Sequence, residues 1–309
     1  MIETVVSTGL PVDEKLVVQK NRLQPEQING NEKRITIVTG IHGDELEGQY
    51  VCYELIKRIR ENKKCLKGIV DVFPAFNPLG IDSLTRGIPV FDLDMNCIFP
   101  GNHEGGMMEQ VAAQLIDDII GSDLCIDLHS SNVFLMEIPQ VRMSEKMVER
   151  LLPLARLSNV DFIWIHDSVT VLESTLAHSL NYMGVPTLAI EMGTGMRITK
   201  AYGEQVLAGI FCLMKELGVW EGPISEVKEP IISTQREVNY INAAASGVFI
   251  PEVLHGSNVK KGACIGRIIS ALSGDVEEDI MAPCDGLIFT LREHPIVSTG
   301  SLITRILGE

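Results

Sequence analysis

The segment GIHGDELEG at 40–48 sets an imidazole and a carboxylate, His42 and Glu45, three positions apart, directly after the β-branched run RITIVTG at 34–40. Where a loop turns into a helix, side chains at i and i+3 lie on one side. One imidazole and one carboxylate suit a borderline divalent metal such as zinc. H-x-x-E alone equally describes a surface ion pair or a helix cap. His129, in CIDLHSS at 125–131, ends an apolar strand where open α/β sheets hold their ligands. It reads as a third ligand or as a satisfied structural histidine. Asp127, two positions earlier, could hold the N–H of a ligating imidazole. Glu191 follows the buried run PTLAI at 186–190. Beside a cation it could serve as general base and then general acid; on its own it is a strand-end acid. Within NPLGIDSLTRGIPVFDLDMNCIFPG at 77–101, Arg86 could steady an oxyanion and Asn96 could bond a substrate carboxylate. The alternative there is a packed loop with a solvated arginine.

The elements that must position these groups read as α/β. Strands are expected at 34–40, 68–73, 124–128, 162–165 and 186–190. Helices are expected at 47–60, 109–120, 144–157, 174–183 and 202–217. Near-continuous apolar strands alternating with helices imply a mixed, largely parallel sheet flanked by helices. The long segment at 77–101 carries Ile81, Leu84, Val90 and Phe91 and reads as ordered rather than free. After Trp220 the texture changes: EGPISEVKEP reads as a linker, followed by short strands and many glycines. Residues 247–268 and 286–306 look like two copies of one unit, each with V-x-x-G (Val259/Gly262; Val297/Gly300) and a strand ending in Arg-Ile. This half-motif resembles a biotinyl- or lipoyl-type barrel. Its hairpin, GDVEEDIMAP, has no lysine, so no attached prosthetic group is expected. The division is therefore 1–222, catalytic, and 223–309, a small all-β sandwich or barrel.

The chain has 309 residues, 45% hydrophobic and 22% charged, enough for about two domains of ~150 residues. Its 26 basic and 41 acidic residues give a net charge of −15. That balance excludes a nucleic-acid binder, which needs a basic footprint, and a polybasic membrane-surface protein. No apolar run approaches the ~18 residues of a membrane span. The first residues, MIETVVSTGLPVDEK, lack a basic-then-apolar export pattern. The 7 cysteines form no C-x-x-C pair, which suits free thiols in a reducing cytoplasm.

Taken in order, G-x-H-G-D-E-x-x-G, N-P-x-G with a following T-R, D-x-N-x-x-F-P-G, D-L-H-S and E-x-G resemble the succinylglutamate desuccinylase/aspartoacylase family, over roughly 34–220. That family has a zinc-carboxypeptidase-like fold and a small β-domain after the catalytic one. The resemblance implies one Zn²⁺ per chain held by His42, Glu45 and His129. It implies that Glu191 activates the attacking water and later protonates the leaving amine, and that Arg86 polarises the scissile carbonyl. Asn96 would anchor a substrate carboxylate, and Arg142, in IPQVRM, would line the pocket. One position departs: the family pattern has Asn-Arg where this chain has Asn96-Cys97. An arginine fork grips a carboxylate with two charge-assisted bonds and a thiol cannot.

Two neutral imidazoles and one carboxylate leave zinc a net charge of +1, which permits a water pKa of ~7 and an open coordination position. The expected activity is hydrolysis of an N-acyl amide bond on a small amino-acid-like molecule. The competing readings are a metallocarboxypeptidase or peptide amidase, and a non-catalytic metal- or ligand-binding relative, which Cys97 invites. The C-terminal segment can either cap the cleft or mediate assembly into a homo-oligomer. Cys97 itself is expected to be buried.

Overall fold

The computed structural model describes residues 1–89, 91–166, 174–234 and 237–308. The chain opens with an antiparallel hairpin, β1 (Ile2–Gly9) and β2 (Lys15–Leu23). Then come β3 (Arg34–Thr39), α1 (Glu47–Glu61), β4 (Ile69–Phe73), α2 (Pro78–Ser83), α3 (Met107–Ile119) and β5 (Leu124–Ser130). They are followed by β6 (Leu135–Ser144), α4 (Val148–Leu157), β7 (Phe162–His166), α5 (Leu176–Tyr182), β8 (Thr187–Gly193) and α6 (Lys200–Glu216). The remainder is β9 (Ile231–Thr234), β10 (Val238–Asn242), β11 (Gly247–Pro251), β12 (Asn258–Val259), β13 (Cys264–Ile269), β14 (Val276–Met281), β15 (Gly286–Arg292), β16 (Ile296–Val297) and β17 (Leu302–Gly308).

Among the described residues, 13 strands form one sheet whose main path is β1-β2-β4-β3-β5-β8-β6-β15-β17-β10. The centre, β4-β3-β5-β8, is parallel, as the apolar runs required. The class is the mixed α/β one expected, but its antiparallel share is larger. The N-terminal hairpin joins β4 antiparallel, and β6 joins β8 antiparallel. Alternate side chains of each central strand enter cores on opposite faces. Ile35, Ile37, Leu124, Ile126 and Leu128 pack with Val51, Leu55 and Ile59 of α1 and Val206 and Ile210 of α6. Val38 and Cys125 pack on the other face with Val111, Leu115 and Ile116 of α3 and Leu176 and Leu180 of α5. Each such burial contributes about 1.5–3 kcal/mol.

The described residues of the 77–101 segment pack onto the fold, although Leu84 and Phe91 are exposed; Val90 lies outside the described residues. Phe76, Ile88, Met95 and Phe99 anchor the segment instead. Asn77 caps α2, its Oδ1 accepting from the Gly80 N–H at 2.8 Å, while its Nδ2 donates to the Gly87 carbonyl at 3.1 Å. Gly43 packs so closely on this segment that a Cβ there would stand 2.0 Å from the Gly80 carbonyl carbon.

The C-terminal strands divide between two sheets. β15, β17 and β10 extend the large sheet through β6, while β14-β13-β11-β16 form a second sheet. The two sequence copies are interlocked: β12 of the first pairs with β15 of the second, and β16 of the second pairs with β11 of the first. Val259 and Val297 are buried in the core between them. Among the described residues, no helix is long and apolar enough to cross a membrane.

Candidate active site

Strand order reverses between β3 and β5. The chain passes from β3 to β4 on one side, then returns across to β5 on the other. Open sheets form a crevice at such a point, beyond the carboxyl ends of the strands. His42 and Glu45 lie in the turn between β3 and α1, and His129 lies at the end of β5. Glu191 of β8 stands beside His129 in register, and Gln140 of β6 stands beside Glu191. Asp127, His129, Glu191, Gln140 and Arg142 therefore share one sheet face.

The candidate ligands are buried and converge. One ligand atom each from His42, Glu45 and His129 lie within 4.8 Å of one another. Nδ1 of His42 is 2.7 Å from Glu45 Oε1, and Nδ1 of His129 is 2.9 Å from Glu45 Oε2. Each imidazole is held from behind through its other nitrogen. Nε2 of His42 meets Asp94 Oδ1 at 3.0 Å, and Nε2 of His129 meets Asp127 Oδ2 at 3.1 Å. Carboxylates behind ligating imidazoles fix ring orientation and raise basicity, which is how metal sites are built. The donor set, two inward Nδ1 atoms and a carboxylate, fits a zinc-type ion.

Electrostatics follow from this crowding. Burial works to raise the Glu45 pKa, yet His129 and His42 outweigh it and hold the carboxylate below its usual range. Burial likewise opposes the charged form of both imidazoles, but Asp94 and Glu45 lift His42, and Asp127 and Glu45 lift His129. Asp94 is lowered to about 2: burial resists, and bonding to His42 together with the Arg86 charge prevails. Glu191 is raised, by burial first, with Arg142 opposing and Glu137 reinforcing.

All seven candidate residues line one cleft of about 490 Å³: His42, Glu45, Arg86, Asn96, His129, Arg142 and Glu191. Arg86 donates Nη1 to Glu45 Oε1 at 3.0 Å and lies 3.4 Å from Asp94. Arg142 Nη1 is 3.6 Å from Glu191, and its Nη2 is 2.5 Å from Glu137. Asn96 is partly committed elsewhere, since its Oδ1 accepts from the Leu176 N–H at 2.9 Å. Cys97 is exposed in the cleft rather than buried, because it sits on a short turn whose inward residue is Met95.

The sequence model described as the succinylglutamate desuccinylase/aspartoacylase catalytic domain matches residues 31–217, more than half of the chain. The chain belongs to this family. A curated relative is the N-alpha-acetyl-L-2,4-diaminobutyric acid deacetylase of Halomonas elongata, 25% identical over 275 residues, covering 86% of this chain and 80% of that one. Among solved structures, the product-bound ectoine utilization protein EutE (DoeB) from Ruegeria pomeroyi has a TM-score of 0.84 at 17% identity, over 100% of this chain and 95% of that one. The succinylglutamate desuccinylase/aspartoacylase from Rhodobacter sphaeroides has a TM-score of 0.78 at 23% identity, over 96% and 90% of the two chains. These likenesses establish the desuccinylase fold.

Three cleft residues of this desuccinylase/aspartoacylase family member escaped the sequence reading. Asp94 is the acid of the D-x-N pattern, two positions before Asn96. Glu137 and Arg305 also line the cleft and bond to each other at 2.6 Å. Arg305 belongs to the Arg-Ile end of the second repeat, the one signal that marked it.

Proposed function

We propose that this chain is a zinc-dependent deacylase that hydrolyses the N-acyl amide bond of a small amino-acid-like substrate in the cytoplasm, with one Zn²⁺ per chain. Residues 1–222 carry the catalytic machinery, and 223–309 complete one wall of its cleft. The observation that carries this reading is the convergence of His42, Glu45 and His129 beside Glu191 in one cleft. The deacetylase named among the relatives supports it.

His42, Glu45 and His129 would hold the ion. When bound, zinc supplies Lewis acidity toward the amide carbonyl and lowers the pKa of water. Glu191 receives the proton of the attacking water. As the carbon–nitrogen bond breaks, Glu191 returns that proton to the amine nitrogen, leaving a free acid and a free amine. Its raised proton affinity makes it the stronger base toward water, and a carboxyl group that stays protonated nearer neutrality is still present to deliver the proton to the amine. Arg142, 3.6 Å away, keeps the unprotonated form accessible. Arg86, fixed by Glu45 and Asp94, presents its guanidinium toward the carbonyl oxygen. The Asn96 side-chain nitrogen, which has no hydrogen bond among the described residues, bonds the substrate.

The zinc-loaded chain should be assayed on N-acetyl- and N-succinyl-amino acids beside short peptides. Hydrolysis of an acyl-amino acid is expected, and Glu191→Ala should keep its zinc while losing ~10²–10⁴-fold in kcat. Cleavage of peptides alone, or a Glu191→Ala variant that turns over normally, would overturn the reading.

A further inference from the structure

Building on the deacylase reading, we propose that Arg305, from the last strand of the chain, joins Arg142 in a subsite that anchors a substrate carboxylate. A single row of the large sheet delivers it. Glu137 of β6 stands opposite Thr290 of β15, Thr290 opposite Arg305 of β17, and Arg305 opposite Tyr240 of β10. Residues in register across neighbouring strands share a face, so this row carries Arg305 into the cleft of His42 and Glu191.

The guanidinium there is fixed but short of acceptors. Its Cζ lies over the rings of Trp164 and Tyr240, 5.7 and 5.5 Å from their centroids. Nη1 donates to Glu137 at 2.6 Å and contacts the Thr290 hydroxyl at 3.4 Å. Nε is buried with no partner, and among the described residues no hydrogen bond engages Nη2. A native structure seldom leaves an arginine fork so incompletely met unless a ligand completes it.

The charge count agrees. Two guanidinium groups, Arg142 and Arg305, share the one Glu137 carboxylate, and Arg142 is also drawn toward Glu191. The third guanidinium lining the cleft is not an equivalent: Arg86 is tied to Glu45 and Asp94, and position 97 is a thiol. A planar carboxylate matches an arginine fork in shape and charge. The first repeat supplies an internal contrast. Its counterpart, Arg267, sits half-exposed and pairs with Asp279 and Glu252 on the second sheet.

The carboxylate can come from the amine half of the substrate or from the acyl half. Three substrates separate these: an N-acetyl-amino acid, its carboxamide, and the N-succinyl derivative of that carboxamide. The zinc-loaded wild type should prefer a carboxylate-bearing member over the plain carboxamide by about 10- to 100-fold in kcat/KM. Arg305→Met should erase most of that preference, chiefly through KM, whereas Arg267→Met should keep it. Arg305→Gln retains an N–H donor for Glu137 and should show the same loss, which covers the case in which Arg305→Met does not fold. A preference that survives in either Arg305 variant overturns the inference while leaving the deacylase reading intact. A wild type that cleaves none of the three, nor any other acyl-amino acid, overturns both.

Discussion

The cleft has two walls built on different terms. On the wall of His42, Glu45 and His129, the inward imidazole nitrogens meet Glu45, and the outward ones are held by Asp94 and Asp127. On the wall of Glu137, Arg142 and Arg305, one carboxylate serves two guanidinium groups, and N–H groups are left over. The first wall comes from the carboxyl ends of parallel strands. The second comes from antiparallel strands, one of them the last in the chain. On the proposed deacylase reading the contrast separates two tasks: the wall of His42, Glu45 and His129 would grip a cation and run the reaction, and the wall of Glu137, Arg142 and Arg305 would choose the substrate.

Substitutions on either wall should therefore have different signatures. The larger effect belongs to the first wall. Asp127→Asn and Asp94→Asn each weaken an imidazole's outer support and should lower zinc affinity about 10- to 100-fold, read by chelator competition. If instead Glu137→Gln weakens zinc as much as they do, the division of tasks fails. The smaller effect belongs to the second wall and appears in the pH profile. Glu191 is raised by burial and further by Glu137 and Glu45, while Arg142 and His129 oppose. The unprotonated carboxylate is the base, so kcat/KM falls as pH drops through that raised value. Glu137→Gln removes a negative neighbour and releases Arg142 toward Glu191. Glu191 then ionises at lower pH, and the acidic limb of the profile should move down; an upward move would contradict this electrostatic account.

How much of this was legible in the sequence depended on how each element satisfies its polar groups. β5 and β8 could be read because their apolar runs are buried on both faces up to His129 and Glu191. β2 could not, because it carries Lys20 and Arg22 inward, where Asp71 and Asp118 neutralise them. β6 was hidden by Pro139, which reads as a strand breaker. The structure accommodates it where the β6–β8 register shifts, between Glu137 and Gln140. That irregularity also concealed Glu137, and with it the second wall. The group of His42, Glu45 and His129 was legible from motifs taken in order, since His42 and Glu45 are neighbours in sequence and His129 ends an obvious strand. Arg305 was not, because 168 positions separate it from Glu137 and only the sheet row joins them.

The most direct test of the central claim is the zinc content and location in crystals of the metal-loaded protein, read by anomalous scattering at the zinc edge. One ion per chain, bonded to Nδ1 of His42, Nδ1 of His129 and the Glu45 carboxylate, with a position open toward Glu191, is the predicted result. A fully loaded sample with no anomalous peak between those three side chains, or with its ion bound elsewhere, would contradict it.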